Sequence, residues 1–314
     1  MIMGKITGLV AATFAAYNEN GEVNLAIIPQ IVEKLIEDGV SGVFVCGTNG
    51  EGPNLTIDER QAIVEAYVKA ANKRIKVIVH VGHSSVKEAR KLAAHAEQVG
   101  ADAFSSVSAF YFKPASVRAL VLSLAEIASA APNTPFYYYN IPHLTGVSMD
   151  MLELLKLAEE MIPNFAGLKY TATTLYEYEA CLNYKDGKYD ILYGLDEMLL
   201  GALAVGAKGA VGSTYTFAAP LYKKIIENFE KGNMEEARKL QMVSIKMVQS
   251  LGKFSPIPAQ RAIVDMSILK LGACRLPLIS LTADERKRLK EDLESKDFFN
   301  LVDQCKEIDF VPNH

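Results

Sequence analysis

The chain has 314 residues, half of them hydrophobic and 22% charged, with a formal net charge of −4. That length buries a large core as one large domain or two ordinary ones. A mildly acidic chain with no block of Lys or Arg argues against a nucleic-acid or anionic-membrane surface, and no uninterrupted apolar stretch of about 18 residues predicts a membrane span.

The N-terminal stretch MIMGKITGLVAATFAAY has one lysine, an apolar run and paired alanines, faintly like an export signal. It is poor in leucine and broken by Gly8 and Thr13, so a first core strand is the better reading. From there a rhythm sets in. Short apolar runs rich in β-branched residues alternate with segments of helical period. The strand candidates are ITGLVAAT, VSGVFVCG, IKVIVHVG, ADAFSSVS, TPFYYYN, FAGLKYT, YDILYGL and AKGAVGS. Thr56 and Glu59 form a capping box ahead of IDERQAIVEAYVKAAN. Ser85 and Glu88 do the same for KEARKLAAHAEQV, with Gly100 as its stop. The strands carry few charges, as a parallel sheet covered on both faces requires. Eight strand–helix units predict a (β/α)8 barrel over residues 1–220. An open doubly wound sheet is the rival, but no G-x-G-x-x-G follows the first strand.

From about Ala219 only helical signals remain: LYKKIIENFEKGN, MEEARKLQMVSIKMVQSLGK, AQRAIVDMSILKLG and TADERKRLKEDL, the last opened by Thr282 and Glu285. Residues 221–314 therefore read as a helical region packed rigidly on the barrel. Four cysteines (Cys46, Cys181, Cys274, Cys305) lack zinc-type spacing and read as reduced cytosolic thiols, which places the chain in the cytoplasm. His80 and His83 have no carboxylate or cysteine motif beside them and read as packing or loop residues, not metal ligands.

Barrel chemistry sits where strands end and βα loops begin. The glycine-rich and polar stretches fall at those boundaries: GTNGEG after the second strand, YNIPHLTG after the fifth, Lys169 ending the sixth, GLDE after the seventh, GSTYTF after the eighth. This predicts one shared pocket. Lys169 itself has two readings. It snorkels to the rim or pairs with Asp196 or Glu197, or it is a Schiff-base nucleophile. A free lysine is neutral in about one molecule in a few thousand at pH 7. An apolar surrounding disfavours the ammonium and frees the amine for attack on a carbonyl carbon. Other residues are equally open to bland readings. Gly47, Gly50 and Gly52 could serve only to allow positive φ in a turn. Alternation points Tyr137 and Tyr139 to the same face, so periodicity does not choose between them. Asp196 and Glu197 could be an acidic pair at a helix start.

Taken together, GTNGE, YNIP, GLKYT, GLDE and GSTY resemble the N-acetylneuraminate lyase and dihydrodipicolinate synthase superfamily of pyruvate-dependent class I aldolases. The resemblance runs in register from about Lys5 to Thr216, and the tail suits that family's three-helix C-terminal region. It implies that Lys169 forms an imine with pyruvate and that Tyr139 moves protons. It implies that Thr48 and Asn49 hold the pyruvate carboxylate, and that Tyr111 in SAFYFKP joins the proton relay, in relatives often across a subunit contact. Position 49 is usually Thr or Ser. Asn there still offers an amide donor. No arginine follows YNIP, where synthases place one, while Leu144, Gly194, Asp196, Glu197 and Ser213 match the lyase branch, as does Thr171 at a sugar-contacting position. The resemblance thus implies reversible cleavage of N-acetylneuraminate to N-acetylmannosamine and pyruvate, with no cofactor or metal, by a homotetramer. Three alternatives stay open: a related aldolase, hydro-lyase or synthase on another keto acid, a pyridoxal-phosphate enzyme using Lys169, and a non-catalytic sugar-acid binder.

Overall fold

The computed structural model describes residues 4–306, so the Met1–Met3 start of the first run and the C-terminal FVPNH lie outside the described residues. Eight strands form, one inside each apolar run: β1 (Gly8–Ala12), β2 (Gly42–Val45), β3 (Lys76–His80), β4 (Ala103–Val107), β5 (Phe136–Asn140), β6 (Phe165–Tyr170), β7 (Asp190–Tyr193) and β8 (Gly209–Gly212). All pair in parallel and in chain order. β1 also pairs with β8, Leu9 opposite Ala210 and Val10 opposite Val211, which closes the barrel.

Between the strands run α1 (Ile28–Glu37), α2 (Ile57–Ala71), α3 (Val86–Gln98), α4 (Val117–Ala128), the single turn α5 (Pro142–Thr145), α6 (Met151–Met161), α7 (Leu175–Asn183) and α8 (Leu199–Ala204). α9 (Tyr215–Glu230), α10 (Met234–Leu251), α11 (Pro256–Ser267), α12 (Ala283–Glu294) and the short α13 (Phe298–Gln304) follow the last strand. The fold is a (β/α)8 barrel with C-terminal helices.

Strand alternation splits the core into two layers. Val10, Phe44, Ile78, Tyr137, Tyr139, Leu192 and Val211 fill the barrel. Leu9, Val43, Val77, Phe104, Tyr138, Leu168 and Tyr170 pack outward against the helices.

The caps follow the sequence with one refinement. Thr56 and Thr282 make complete boxes with Glu59 and Glu285. At α3, Ser85 accepts from the Glu88 amide, but the Ser85 amide donates to His83 Nδ1 at 2.9 Å instead of to Glu88. The expected boundary at 220/221 falls inside α9, which packs on both β1 and α10. Pro220 sits within this helix, and Ala218, at φ −135° and ψ 20°, absorbs the break that a ring without an N–H imposes. α11 starts at Pro256, ahead of the expected run, because proline suits a first helical position. No helix among the described residues is long and apolar enough to cross a membrane.

Candidate active site

The C-terminal ends of the strands surround a cavity of about 460 Å³. Its walls bring together Thr48, Asn49, Tyr139, Leu144, Lys169, Thr171, Gly194, Asp196, Glu197 and Ser213, all the residues that the resemblance singles out except one. The exception, Tyr111, stands outside. It is 79% exposed on the loop after β4, edge-to-face with Phe112, and the single chain does not carry it to this cavity.

Lys169 is the sixth strand's inward residue, in register with Tyr139 of β5. It is 4% exposed. Its Nζ lies 4.0 Å from the centroid of the Phe44 ring and 4.0 Å from that of Tyr139. Among the described residues no carboxylate comes within the 4.0 Å of an ion pair. Burial therefore dominates and brings the ammonium down to about 7, with Asp196 pulling more weakly the other way. A substantial neutral fraction exists at physiological pH, which the ion-pair reading of this lysine does not provide.

Tyr139 is 3% exposed, and its Oη lies 3.5 Å from Thr48 Oγ1. Burial pushes the phenol up to about 12, against the hydrogen bond from Thr48. Tyr137 also points into the barrel, but one layer lower, where its hydroxyl donates to Asp190 at 2.9 Å. The choice that alternation leaves open is made by depth along the barrel axis.

The GTNGEG turn departs from the glycine expectation. Positive φ falls on Cys46 (φ 58°), just before the turn, and on Glu51 (φ 50°) within it, not on Gly47, Gly50 or Gly52. Gly52 is required by close approach: a Cβ there would lie 2.2 Å from the Cys46 carbonyl oxygen. Glu51 is buried and pairs with Arg261 of α11 at 3.2 Å, while Arg261 also donates to the carbonyls of Ala15, Leu271 and Gly272. The C-terminal helices thus hold this turn in place. Asn49 donates one amide hydrogen to Gln260 Oε1 at 3.4 Å, leaving its second N–H for a ligand.

Asp196 is 5% exposed. Its Oδ2 accepts from Thr214 N at 2.9 Å and Thr214 Oγ1 at 2.6 Å. Burial raises its carboxyl to about 6, with the Thr214 hydrogen bonds opposing the rise. Asp196 and Glu197 begin a 3-10 turn, Asp196–Met198, so the helix-start reading and the cavity-wall position hold together.

Sequence reasoning passed over Phe44 and Gln260, and read His80 only as a packing or loop residue. His80 is buried, packs its ring at 5.9 Å edge-to-face on Tyr139, and places Nδ1 3.2 Å from the Cys46 carbonyl oxygen. Burial pushes the imidazole down to about 3, so it is neutral. The signal was available: a polar side chain at an inward position of the apolar run IKVIVHVG, the same feature that drew attention to Lys169. His83 lies in the loop after β3, and among the described residues no group of three or more His, Cys, Asp or Glu side chains could hold a metal ion. The four cysteines form no disulfide.

The site stands on a chain whose residues 5–296 match the dihydrodipicolinate synthetase family. Similar proteins include N-acetylneuraminate lyase A of Xenopus laevis, 44% identical over 286 residues, covering 88% of this chain and 92% of that one. The human N-acetylneuraminate lyase is 38% identical over 304 residues, 95% of each. Among solved structures, the N-acetylneuraminate lyase (sialic acid aldolase) from Aliivibrio salmonicida superposes with a TM-score of 0.91 at 41% identity, covering 94% of this chain and 98% of that one. With a family match across most of its length and a barrel carrying a buried lysine at the end of its sixth strand, the chain belongs to the dihydrodipicolinate synthetase family.

Proposed function

We propose that the protein is a class I aldolase that reversibly cleaves N-acetylneuraminate to N-acetylmannosamine and pyruvate, with Lys169 as the Schiff-base nucleophile. The observation that carries the reading is the position of Lys169 Nζ, buried between two aromatic rings with no carboxylate partner among the described residues, in a cavity walled by hydroxyl, amide and carboxylate groups. The names of the similar proteins and the missing arginine after YNIP favour a sugar acid over the synthase's second substrate.

The neutral amine attacks the C2 ketone of the open-chain sugar acid, and loss of water leaves a protonated imine. That imine withdraws the electron pair of the breaking C3–C4 bond. The proton of the C4 hydroxyl passes to the substrate carboxylate held by Thr48 and Asn49, as C4 becomes the aldehyde of the leaving N-acetylmannosamine. Tyr139 then donates its own phenolic proton to C3 of the enamine and takes the carboxyl's proton in return, and water hydrolyses the pyruvate imine from Lys169. A phenol that is neutral across this pH range suits a shuttle that ends as it began. Thr171, Asp196, Glu197 and Ser213 present acceptors and donors to the polyol, Gly194 leaving room beside Thr171.

Pyruvate release from N-acetylneuraminate, followed through a lactate dehydrogenase couple beside a panel of other 2-keto-3-deoxy sugar acids, tests the substrate. N-acetylneuraminate is expected to have the highest kcat/KM, and a clear preference for another panel member reassigns the aldolase. Because the nucleophile is the unprotonated amine, kcat/KM should rise with pH up to about 7 and then level off. A rate that is flat from pH 5.5 to 8 contradicts the Lys169 assignment.

The reading extends to a homotetramer in the cytoplasm, with Tyr111 reaching a neighbouring subunit's site. Phe110, Tyr111 and Phe112 present a run of exposed aromatic surface after β4, of the kind that marks an interface. Sedimentation velocity should give four times the 34.4 kDa chain mass, and Tyr111→Asp should lower it. A monomer at micromolar concentration removes this part of the reading.

A further inference from the structure

Asp196 is tied to the C-terminal helices by a chain of hydroxyls that the mechanism above does not use. Thr214 Oγ1 lies 2.6 Å from Asp196 Oδ2 and 2.7 Å from Tyr222 Oη, and Tyr222 Oη lies 2.7 Å from Ser244 Oγ. Thr214 has one hydroxyl proton, and an ionised carboxylate only accepts. The Thr214 proton therefore goes to Asp196, the Tyr222 proton to Thr214, and the Ser244 proton to Tyr222. Every bond in the chain then points its donor toward Asp196. All three hydroxyl-bearing residues are buried, with Tyr222 in α9 and Ser244 in α10. A second strut runs alongside. Gln241 of α10 donates to the Asp196 carbonyl at 3.2 Å and accepts from the Leu200 amide at 2.9 Å.

Both Thr214 donors converge on the same carboxylate oxygen. Oδ1 is buried over Gly212, where a Cβ would come within 1.9 Å of it, and the buried Tyr215 hydroxyl is a further donor directed at this carboxylate. A bare carboxylate oxygen in a buried setting is costly unless something completes it. The two Thr214 donors thus fix the orientation of a carboxylate that stands in the cavity wall.

We propose that Tyr222 and Ser244 are positioning residues for sugar-acid recognition: through Thr214 they hold the Asp196 carboxylate in the orientation in which it accepts a hydroxyl of the substrate's polyol portion. The inference rests on the aldolase reading of the cavity, but concerns the polyol end and not the pyruvate end. The chain approaches Asp196 from β8 and α9, whereas Lys169, Tyr139, Thr48 and Asn49 lie on β6, β5 and the loop after β2. Loss of the relay should therefore weaken sugar-acid binding while leaving imine formation with pyruvate intact.

The experiment compares wild type with Tyr222→Phe and Ser244→Ala. Three quantities are read: KM and kcat for N-acetylneuraminate, or for whichever sugar acid the wild type cleaves best, the extent of borohydride trapping of pyruvate on Lys169, and the thermal midpoint. Tyr222→Phe is expected to raise KM about tenfold, the scale of a hydrogen bond to a charged group. Ser244→Ala, one bond further away, is expected to raise it a few-fold. Trapping should match wild type in both, and kcat should change less than KM. Unchanged KM in both variants overturns the proposal. So does a parallel loss of KM, trapping and thermal midpoint, which would mark a packing role only. Should Tyr222→Phe not fold, Ser244→Ala decides by the same two criteria. A wild type that traps pyruvate but prefers a different sugar acid refutes the substrate named above without touching the relay, which is then judged on the preferred substrate.

Discussion

Replacing Lys169 with alanine is expected to lower aldol cleavage by about 10⁴-fold or more, since no other group supplies the nucleophile. Borohydride reduction with pyruvate should add one three-carbon unit to the wild-type chain, mapped by mass spectrometry to the peptide containing Lys169. The variant should carry none. An adduct elsewhere, or one unchanged in Lys169→Ala, would refute the assignment. The same residue has a stability signature. Its pKa of about 7 in the fold lies below the ordinary 10.5. Below pH 7 the amine is charged in both states, and burying that charge costs the folded state on the order of 5 kcal/mol. Between about pH 7 and 10.5 the unfolded chain binds the extra proton, so this penalty shrinks as pH rises. Lys169→Met, which keeps the length of the side chain and removes the charge, should therefore melt higher than wild type at pH 6, with a gap that narrows by pH 9. A gap that is absent, or that widens with pH, would mean the amine is not desolvated in solution.

Tyr139→Phe is expected to lower kcat by about 10²- to 10³-fold, the scale of a lost proton-transfer group. The ring should stay in place, because it is held by its contacts with Phe44 at 5.4 Å and His80 at 5.9 Å. The hydrogen bond it gives up, to Thr48, is long at 3.5 Å, so little stability should be lost with it. Lys169 keeps its buried setting in the variant, and pyruvate trapping should remain detectable. Near-normal turnover would strip Tyr139 of its role, and loss of trapping together with turnover would mean that the hydroxyl serves imine formation and not carbon–carbon cleavage. The Tyr137→Phe variant is the control. That hydroxyl serves Asp190 on the lower layer, so its loss should reduce stability more than it reduces kcat.

Much of the fold was legible because its signals are local. Each of the eight apolar runs contains its strand, and the boxes at Thr56 and Thr282 open their helices where the side chains say they should. The elements that shifted are those where a local signal met a tertiary demand. α9 begins at Tyr215, not in the run beginning at Leu221, since packing on β1 and α10 carries the helix across Pro220. In GTNGEG the glycines suggested a turn of positive φ, yet Cys46 and Glu51 take those angles. They can do so because the loop is clamped from a distance, Glu51 by Arg261 across a separation of 210 residues.

The site divides along the same line. Residue order alone determined that a lysine ends the sixth strand, that a tyrosine precedes Asn140 and Pro142, and that acidic and hydroxyl groups follow strands seven and eight, because strand period and loop position are properties of a few adjacent residues. Only the tertiary structure decided which of those groups can react. The neutral fraction of Lys169 depends on Phe44 and Tyr139 arriving from other strands to displace water from its amine. The separate depths of Tyr137 and Tyr139, the exclusion of Tyr111 from the cavity of a single chain, and the Ser244–Tyr222–Thr214 support of Asp196 have the same origin. Desolvation and hydrogen-bond direction are set by atoms far away in sequence, and periodicity in a linear chain carries no record of them.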